Sequence, residues 1–456
     1  MPSRPRPWRR PAPAVVVALV AVAALVSSCS STTPSSAPSR PGAHAVGLLL
    51  ENFVDHSRST PANGSVPSHA GRTLITTVLY PARGAATPRP PVSGVEPDRG
   101  DGPYPLIVFA HGFDSNVTGY LPLLEKWASA GFVVAAPLFP LTNSSAPGGP
   151  DLSDYVHQPG DMSFVVTQIL RQSAQSSGTL AGLVDPAEVG AAGHSLGGVT
   201  TLGLVADTCC RDRRIKAAVV MSGDAITFPT GRVDDAGAPP LLLVHGNADP
   251  AVPYVSSVDV FNRAQAPKGL LTIIGGNHDS PVNPAGAAFG SVVQATVDFF
   301  DRYLRGDTAD LARLDHDAEP GVTTLTFVAR AGRRVLLPVP KTAVGHLAAT
   351  VTPSTGLSNS ETVTVAWKGY TPNQSVNILE CSTSAPTQAT DCDLHSADVL
   401  HPDPTGTGSL TFTVTTGTVG SGICDAHHPG CVVVINQGGS LDPAASVIVP
   451  ISFSAG

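Results

Sequence analysis

The sequence predicts two folded domains: an α/β domain with a mostly parallel sheet, followed by an all-β sandwich. From about residue 70 to 305, short apolar runs that suit buried strands alternate with longer segments that suit helices. From residue 351 to 454 the chain is rich in Thr, Val, Ser and Gly and shows alternating strand patterns without a convincing helix. The length of 456 residues is enough for two or three domains.

Composition and charge narrow the classes of function. Glycine and proline make up about 19% of the chain, below the roughly 25–30% typical of disordered low-complexity chains, and 42% of the residues are hydrophobic. The formal net charge is −8, and removal of the first 28 residues, which carry four arginines and no acid, leaves 23 basic against 35 acidic residues. This acidic balance argues against a nucleic-acid partner.

The first 28 residues have the layout of a secretory signal peptide. Arginines at positions 4, 6, 9 and 10 precede an apolar run at 14–26, which is too short to span a bilayer core about 30 Å thick. The sequence Val-Ser-Ser-Cys at 26–29 resembles the bacterial lipoprotein box, which implies cleavage before Cys29 and a diacylglycerol on its sulfur, so that the protein is held outside the membrane. Ordinary secretion is the alternative. Residues 29–45 are expected to form a Ser/Thr/Pro-rich tether.

The α/β domain is expected at residues 46–306. Its candidate strands are 74–80, 106–110, 133–136, 189–193, 215–221, 241–245 and 270–274. Its candidate helices are 120–130, 161–173, 196–206, 255–264 and 287–304. In a parallel sheet covered on both faces, we expect the chemistry at the C-terminal ends of the strands.

Ser195 is the candidate nucleophile. It lies in Gly-His-Ser-Leu-Gly-Gly at 193–198, between a predicted strand and a predicted helix. The glycines allow a turn sharp enough to hold the hydroxyl clear of the sheet, and the new helix directs N–H groups at the site. The bare pattern occurs by chance, but the strand-turn-helix context indicates a nucleophile.

A serine nucleophile needs a histidine base that a carboxylate orients. Asp249 follows the strand at 241–245, and His278 follows the next strand. A helix-capping role for Asp249 and a structural role for His278 are the alternatives. Asp279 is the rival carboxylate, but its position next to the histidine suits it poorly to bond Nδ1 of the same ring.

Two backbone donors are expected to stabilise the developing oxyanion. The Leu196 N–H is one by position, and the Phe113 N–H, in Ala-His-Gly-Phe at 110–113, is the expected second. A glycine turn with His111 packed beneath it is compatible with this role. The Phe113 ring is also in a position to line the acyl pocket.

These motifs, with His-Gly-Asn-Ala-Asp at 245–249 and Gly-Asn-His at 276–278, resemble the α/β-hydrolase superfamily. The most similar branch is that of platelet-activating-factor acetylhydrolases, chlorophyllases and bacterial polyester hydrolases, and the resemblance runs from about residue 46 to 305. The chain order Ser195, Asp249, His278 is the one that this fold uses. Dienelactone hydrolases use cysteine and haloalkane dehalogenases use aspartate, so the serine implies ester or thioester hydrolysis, without a cofactor or metal.

The stretch at 142–150 is rich in Pro, Gly, Ser and Asn and is too short for a full lipase lid. The acyl site is therefore expected to be open, as a bulky or polymeric substrate requires. A plain surface loop is the alternative.

Six cysteines remain besides Cys29, an even number in a compartment that permits disulfides. For the adjacent Cys209 and Cys210 we favour buried free thiols over a vicinal bridge, which needs a strained peptide. Two local pairs lie in the last quarter of the chain: Cys381 with Cys392, and Cys424 with Cys431.

Residues 307–345 are charged and irregular and are expected to link the hydrolase to a sandwich at 346–456. The sequences at 351–358 and 362–365 resemble the start of the neocarzinostatin family, and 447–453 resembles its last strand. Members are seven-stranded immunoglobulin-like sandwiches with two short-range disulfide loops, which the two local pairs match. The resemblance favours disulfides over a zinc site drawn from Cys424, His427, His428 and Cys431. Chromophore binding, known for some members, is not carried over, because a fold does not determine function.

The leading hypothesis is an exported, lipid-anchored serine hydrolase of small-molecule, lipid or polymeric esters with an accessory binding sandwich. The alternatives are a non-catalytic cell-surface binding protein on a hydrolase scaffold and a serine peptidase of the same fold. All candidate catalytic groups lie before residue 304, so residues 44–306 are expected to cleave small esters without the sandwich.

Overall fold

The computed structural model describes residues 44–84, 91–226, 228–314, 316–330, 332, 335–338, 346–372, 376–387, 389–394, 397–400, 405–437 and 445–455. The predicted signal peptide, Cys29 and most of the predicted tether lie outside these residues. None of the helices that are described is long and apolar enough to cross a membrane.

The first domain is built on a ten-stranded sheet. Its strands are β1 (Ala45–Asp55), β2 (Arg72–Ala82), β3 (Val92–Ser93), β4 (Tyr104–Ala110), β5 (Val133–Leu138), β6 (Val184–His194), β7 (Ile215–Met221), β8 (Leu241–Gly246), β9 (Lys268–Ile273) and β10 (Thr323–Val328). Their order across the sheet is β10-β9-β8-β7-β6-β4-β5-β2-β1-β3. The strands from β9 to β5 in this order run parallel, and β10 and β2 flank them in the antiparallel direction.

Helices cover both faces of this sheet. They are α1 (Leu121–Ser129), α2 (Gln158–Ser173), α3 (Leu196–Ala206), α4 (Tyr254–Arg263), α5 (Phe289–Phe300) and α6 (Asp310–Leu314). Helices α1 and α5 pack on one face, and α2, α3 and α4 pack on the other. All seven residues of β4 are buried, because a central strand has no solvent-facing side. The predicted α/β-hydrolase fold is confirmed.

Three strands of this sheet are absent from the prediction: β1, the two-residue β3, and β10. β1 precedes the first predicted strand and pairs with β2 along its whole length. β10 lies within 307–345, which was predicted to be a linker, and pairs antiparallel with β9. The linker interpretation is therefore wrong for β10 and for the short helix α6. Because β10 is a partly exposed edge strand among charged residues, it lacks the continuous apolar run that marks the central strands.

The second domain is an antiparallel sandwich. Its strands are β11 (Ala348–Thr352), β12 (Glu361–Lys368), β13 (Val376–Cys381), β14 (Asp398–Leu400), β15 (Gly408–Val414), β16 (Gly417–Val419), β17 (Gly422–Cys424), β18 (Val432–Gln437) and β19 (Ser446–Pro450). One sheet has the order β11-β12-β15, the other has the order β14-β13-β18-β19, and β16 pairs with β17 as a separate ribbon. Alternate side chains from both sheets form one core, in which Val365 and Trp367 meet Ile378 and Ile435.

The structure contains three disulfides among the described residues. Cys381–Cys392 and Cys424–Cys431 form as predicted, so the latter two sulfurs are not free to ligate zinc. Cys209 and Cys210 also form a disulfide, with Cys209 exposed and Cys210 half-buried. The expectation of buried free thiols at this position is therefore wrong.

Candidate active site

Ser195 lies in the tight turn between β6 and α3. Its backbone has φ 57° and ψ −122°, a conformation that is strained for a residue with a Cβ. A Cβ on Gly193 would clash with the carbonyl oxygen of Gly197, and a Cβ on Gly197 would clash with the carbonyl oxygen of Ala110. Only glycine permits both approaches. The turn therefore holds Ser195 at the C-terminal edge of the sheet, where the sequence places it.

Ser195, His278 and Asp249 form a hydrogen-bonded chain. His278 Nε2 lies 2.8 Å from Ser195 Oγ, and His278 Nδ1 lies 2.8 Å from Asp249 Oδ2. Since the carboxylate accepts at Nδ1, that nitrogen carries the ring proton and Nε2 is left to accept the serine hydroxyl proton. Asp279 is exposed and makes no hydrogen bond with the His278 ring among the described contacts. This geometry favours Asp249 over its rival.

Asp249 is buried in the loop that follows β8. Its Oδ1 accepts hydrogen bonds from the backbone N–H groups of Ala251 and Val252, at 2.8 and 2.9 Å. Burial opposes its ionisation, but the hydrogen bonds from His245 and His278 outweigh that effect and hold the pKa of Asp249 well below its ordinary value. The carboxylate is therefore charged at neutral pH.

His245 is a contributor that sequence reasoning missed. Its Nε2 lies 3.0 Å from Asp249 Oδ2 and 3.0 Å from the Val252 carbonyl oxygen, and its Nδ1 lies 2.7 Å from Ser257 Oγ. Because the carbonyl can only accept, Nε2 carries the proton and Nδ1 accepts from the serine. The available signal was a histidine at the end of a buried strand, four residues before the aspartate.

Phe113 and Leu196 lie where the oxyanion donors were predicted. Leu196 is the first residue of α3, and Phe113 follows β4 in the loop beside Ser195. A Cβ on Gly112 would lie 3.3 Å from the Ser195 Cβ, so this loop runs against the nucleophile. Neither amide N–H has an acceptor among the residues that the structure describes. Both N–H groups are thus available to a substrate oxygen.

A second chain of hydrogen bonds links the Phe113 loop to the His278 loop. The Gly112 N–H donates to Tyr120 Oη at 3.0 Å, and Tyr120 Oη lies 3.1 Å from His194 Nδ1. His194 Nε2 lies 2.9 Å from the carbonyl oxygen of His278. Burial lowers the pKa of His194 to about 3, so the ring is neutral. It donates from Nε2 to the carbonyl and accepts the tyrosine hydroxyl at Nδ1.

His111 packs beneath the Phe113 loop. Its Nδ1 lies 2.7 Å from the Gly112 carbonyl oxygen, and its Nε2 accepts from the Phe139 N–H at 3.1 Å. Burial lowers the pKa of His111 to about 4, so this ring is also neutral. The contacts are those of a packing residue that holds the glycine turn.

A buried ion cluster positions the segment Leu152–His157 beside the site. The fully buried Arg72 guanidinium donates two hydrogen bonds to Asp154, at 2.9 and 2.8 Å, and two to Asp161, at 2.9 and 2.7 Å. Asp161 lies inside α2, which begins three residues earlier than predicted. Bidentate pairing of this kind holds the segment firmly to β2 and so fixes Tyr155 at the site.

A cavity of about 220 Å³ has Ser195 and His278 in its wall. The hydrolase domain also supplies the Asp224 carboxyl, whose pKa burial raises above its ordinary value. Its other lining residues are mostly apolar: Phe113, Leu152, Tyr155, Leu196, Val199, Ile226, Ala251 and Val252. The remaining wall comes from the sandwich: Asn377, Leu379, Leu394, Ala397 and Asn436.

This lining bears on two expectations. The site is partly open, with the Phe113 side chain in its wall 38% exposed, and the sandwich lies against it where the sequence predicted no lid. The sandwich is also not separate from the pocket. A larger cavity of about 310 Å³ lies beside the 142–150 stretch and contains none of the Ser195, Asp249 and His278 side chains.

Comparisons with known proteins agree with both predicted resemblances. Residues 71–231 match the chlorophyllase family, and residues 349–453 match the neocarzinostatin family. No curated protein gives a significant match. Among solved structures, a ferulic acid esterase from Streptomyces cinnamoneus is similar, with 22% identity and a TM-score of 0.47 over 64% of this chain and 98% of that chain. The chlorophyllase match supports an esterase-like hydrolase domain, and it includes Ser195 but ends before Asp249 and His278.

Proposed function

We propose that the protein is a serine hydrolase that cleaves carboxylic esters through an acyl-enzyme. The observation that carries the proposal is the hydrogen-bonded chain from Ser195 Oγ through His278 to Asp249. Its position at the C-terminal edge of a parallel sheet, in a domain that matches an esterase family, supports the same conclusion.

In the first half of the reaction, His278 Nε2 removes the Ser195 hydroxyl proton as Oγ attacks the ester carbonyl carbon. The carbonyl π electrons move to the oxygen, and the resulting oxyanion accepts hydrogen bonds from the Phe113 and Leu196 N–H groups. His278 then gives its proton to the leaving alcohol as the carbon–oxygen bond breaks. The products of this half are the free alcohol and an ester between the acyl group and Ser195.

In the second half, His278 removes a proton from a water molecule as the water oxygen attacks the carbonyl carbon of the acyl-enzyme. The same donors stabilise the second oxyanion, and collapse returns the proton to Ser195 and releases the acid. Asp249 stays ionised throughout, because its two histidine donors and two backbone donors hold its pKa low. Its charge stabilises the His278 imidazolium that forms in each half.

The test is turnover of p-nitrophenyl esters of graded chain length by wild type and by Ser195→Ala. We expect the variant to lose at least about 10⁴-fold in kcat/KM with its melting temperature kept. Ser144→Ala, an exposed serine outside the site, is the matched control. Wild-type-like turnover by Ser195→Ala would overturn the proposal. Turnover of a peptide amide but not of esters would instead favour the peptidase, and absence of turnover on both would favour the non-catalytic binding protein.

We extend the proposal to location: the protein is exported and held at the membrane by a lipid on Cys29. Its disulfides are typical of proteins outside the cytoplasm. Cys29→Ala should move the protein from the membrane fraction to the soluble or secreted fraction, because stable anchoring needs more than one acyl chain and the diacyl modification is then lost. Metabolic labelling with a palmitate analogue that leaves the wild-type protein unlabelled would refute the lipid anchor.

A further inference from the structure

The sandwich turns one face of its β14-β13-β18-β19 sheet toward the cavity. Alternate residues of a strand leave it on opposite faces, and Val376 and Ile378 of β13 pack into the sandwich core. Asn377 and Leu379 therefore lie on the outer face, and the register pairs Asn377 with Asn436 of β18. Asn377, Leu379 and Asn436 all line the cavity that contains Ser195.

On β13 and β18 this outer face includes covered apolar side chains, whereas the outer face of a sandwich is ordinarily polar. Leu379 is 7% exposed and Val434 is 1% exposed. They form a small cluster with the Cys381–Cys392 disulfide, and Leu394 packs against the cluster. The disulfide thus ties the loop that carries Leu394 to β13.

Leu394 joins the two domains. Besides the sandwich cluster, it packs against a buried cluster of the hydrolase domain that consists of Tyr155, Leu196, Val199 and Phe228. Leu196 and Val199 belong to the first turns of α3, directly after the proposed nucleophile. One sandwich side chain therefore contacts the apolar wall next to Ser195.

We propose that the sandwich forms one wall of the substrate cavity and thereby restricts the hydrolase to compact, mainly apolar esters, an inference that rests on ester hydrolysis at Ser195. At about 220 Å³ the cavity lies below the roughly 300–1,000 Å³ typical of ligand sites, and ten of its sixteen lining residues are apolar. A long acyl chain or a polymer meets the sandwich wall, whereas a small ester fits beside it. The sandwich is a specificity element of the enzyme in addition to any binding role of its own.

The test changes the size of the cavity from the sandwich side. Leu394→Ala widens it, and Ala397→Phe fills it. The measurement is the ratio of kcat/KM for p-nitrophenyl octanoate to that for p-nitrophenyl acetate in the full chain. We expect this ratio to rise about tenfold in Leu394→Ala and to fall about tenfold in Ala397→Phe. A mismatch of one methylene group between a substrate and an apolar pocket changes kcat/KM by about 10–200-fold.

Matched controls make the same changes elsewhere on the sandwich. Ile448→Ala shortens an exposed apolar side chain of β19, and Ala426→Phe adds a ring to an exposed loop. Neither residue lines the cavity, so the ratio should stay within about twofold of wild type. Thermal unfolding of each variant shows whether it folds. Folded Leu394→Ala and Ala397→Phe variants with the wild-type ratio would overturn the inference while leaving Ser195-dependent hydrolysis intact.

A readout without turnover separates this inference from the proposed function. Titration with 1-anilinonaphthalene-8-sulfonate, a compact apolar anion, reports occupation of the cavity. We expect Ala397→Phe to weaken its binding about tenfold and Ala426→Phe to leave it unchanged. If wild type cleaves no ester, the proposed function fails, but dye binding by these two variants still tests whether the sandwich forms one wall of the cavity. Equal affinities of Ala397→Phe and Ala426→Phe for the dye would contradict a sandwich wall.

Discussion

His245 and Asp249 are joined by a 3.0 Å contact between His245 Nε2 and Asp249 Oδ2, the same oxygen that lies 2.8 Å from His278 Nδ1. The proposed triad carboxylate thus has two histidine donors on one oxygen and two backbone donors on the other. A carboxylate with four donors cannot rotate freely, so these donors determine the direction in which Asp249 holds His278.

We predict that loss of the His245 contact slows catalysis without abolishing it. His245→Leu removes a charge-assisted hydrogen bond and should lower kcat by about tenfold to a hundredfold, while KM changes little. His245→Gln keeps an N–H donor and should recover much of that loss. The measurement is kcat and KM of both variants on p-nitrophenyl acetate. Equal kcat values for the two variants would show that His245 acts only by filling space.

The two candidate carboxylates, Asp249 and Asp279, should differ sharply in their effect on activity. Asp249→Asn removes the charge that stabilises the His278 imidazolium and should lower kcat by about 10³- to 10⁴-fold. Asp279→Asn, at an exposed position, should stay within about threefold of wild type. Steady-state kinetics on one small ester compares them directly. A larger loss in Asp279→Asn would mean that the wrong carboxylate has been assigned.

Tyr120 should act as a positioning residue for the proposed oxyanion donor. Tyr120→Phe leaves the Gly112 N–H and His194 Nδ1 without the hydroxyl that joins them, and it loosens the loop that carries Phe113. We expect kcat to fall about tenfold with KM nearly unchanged, because the donor matters most in the transition state. Tyr80→Phe removes a tyrosine hydroxyl bonded to the Val95 carbonyl, away from the site, and is the matched control. A similar fall in kcat for both variants would assign the Tyr120 effect to general stability.

The sandwich should lose stability as pH rises through the titration of Glu380. Burial raises the pKa of this carboxyl to about 7, against an ordinary value of 4.5, although the Thr415 N–H donates to it at 2.8 Å. Between these two pH values the folded chain keeps a proton that the unfolded chain releases. Stability from this group is therefore full below about pH 4.5 and is lost as pH approaches 7.

Glu380→Gln removes this titration and keeps an oxygen to accept from Thr415. Its melting temperature should exceed that of wild type at pH 8, and the difference should shrink toward pH 4.5. Thermal unfolding across this range checks the expectation. The control is Glu361→Gln, which makes the same change at a half-buried glutamate of the sandwich. A difference from wild type that is independent of pH would refute the assignment.

Features that depend on neighbours in the chain could be derived from the sequence. The Ser195 turn is one, because the glycines that permit it lie within two residues of the serine. The central strands are another, since burial on both faces makes each a continuous apolar run. The two C-terminal disulfides close short loops, and the resemblance that predicts them lies in the same segment. The roles of Ser195, Asp249 and His278 stay predictions until the variants are measured.

Contacts between distant segments were decided only by the tertiary structure. The loops after β8 and β9 lie against each other, and their packing decides that Asp249 is the carboxylate in contact with His278. The same packing decides that His245 contacts that carboxylate too. The hydrogen bond between Tyr120 and His194 joins residues that are 74 positions apart, and no local sequence pattern predicts it. The position of Leu394 over the hydrolase depends on the packing of two separately folded surfaces. Periodicity reports whether a residue is buried, but not which surface buries it, so the sequence indicated two domains and the structure showed that they share one cavity.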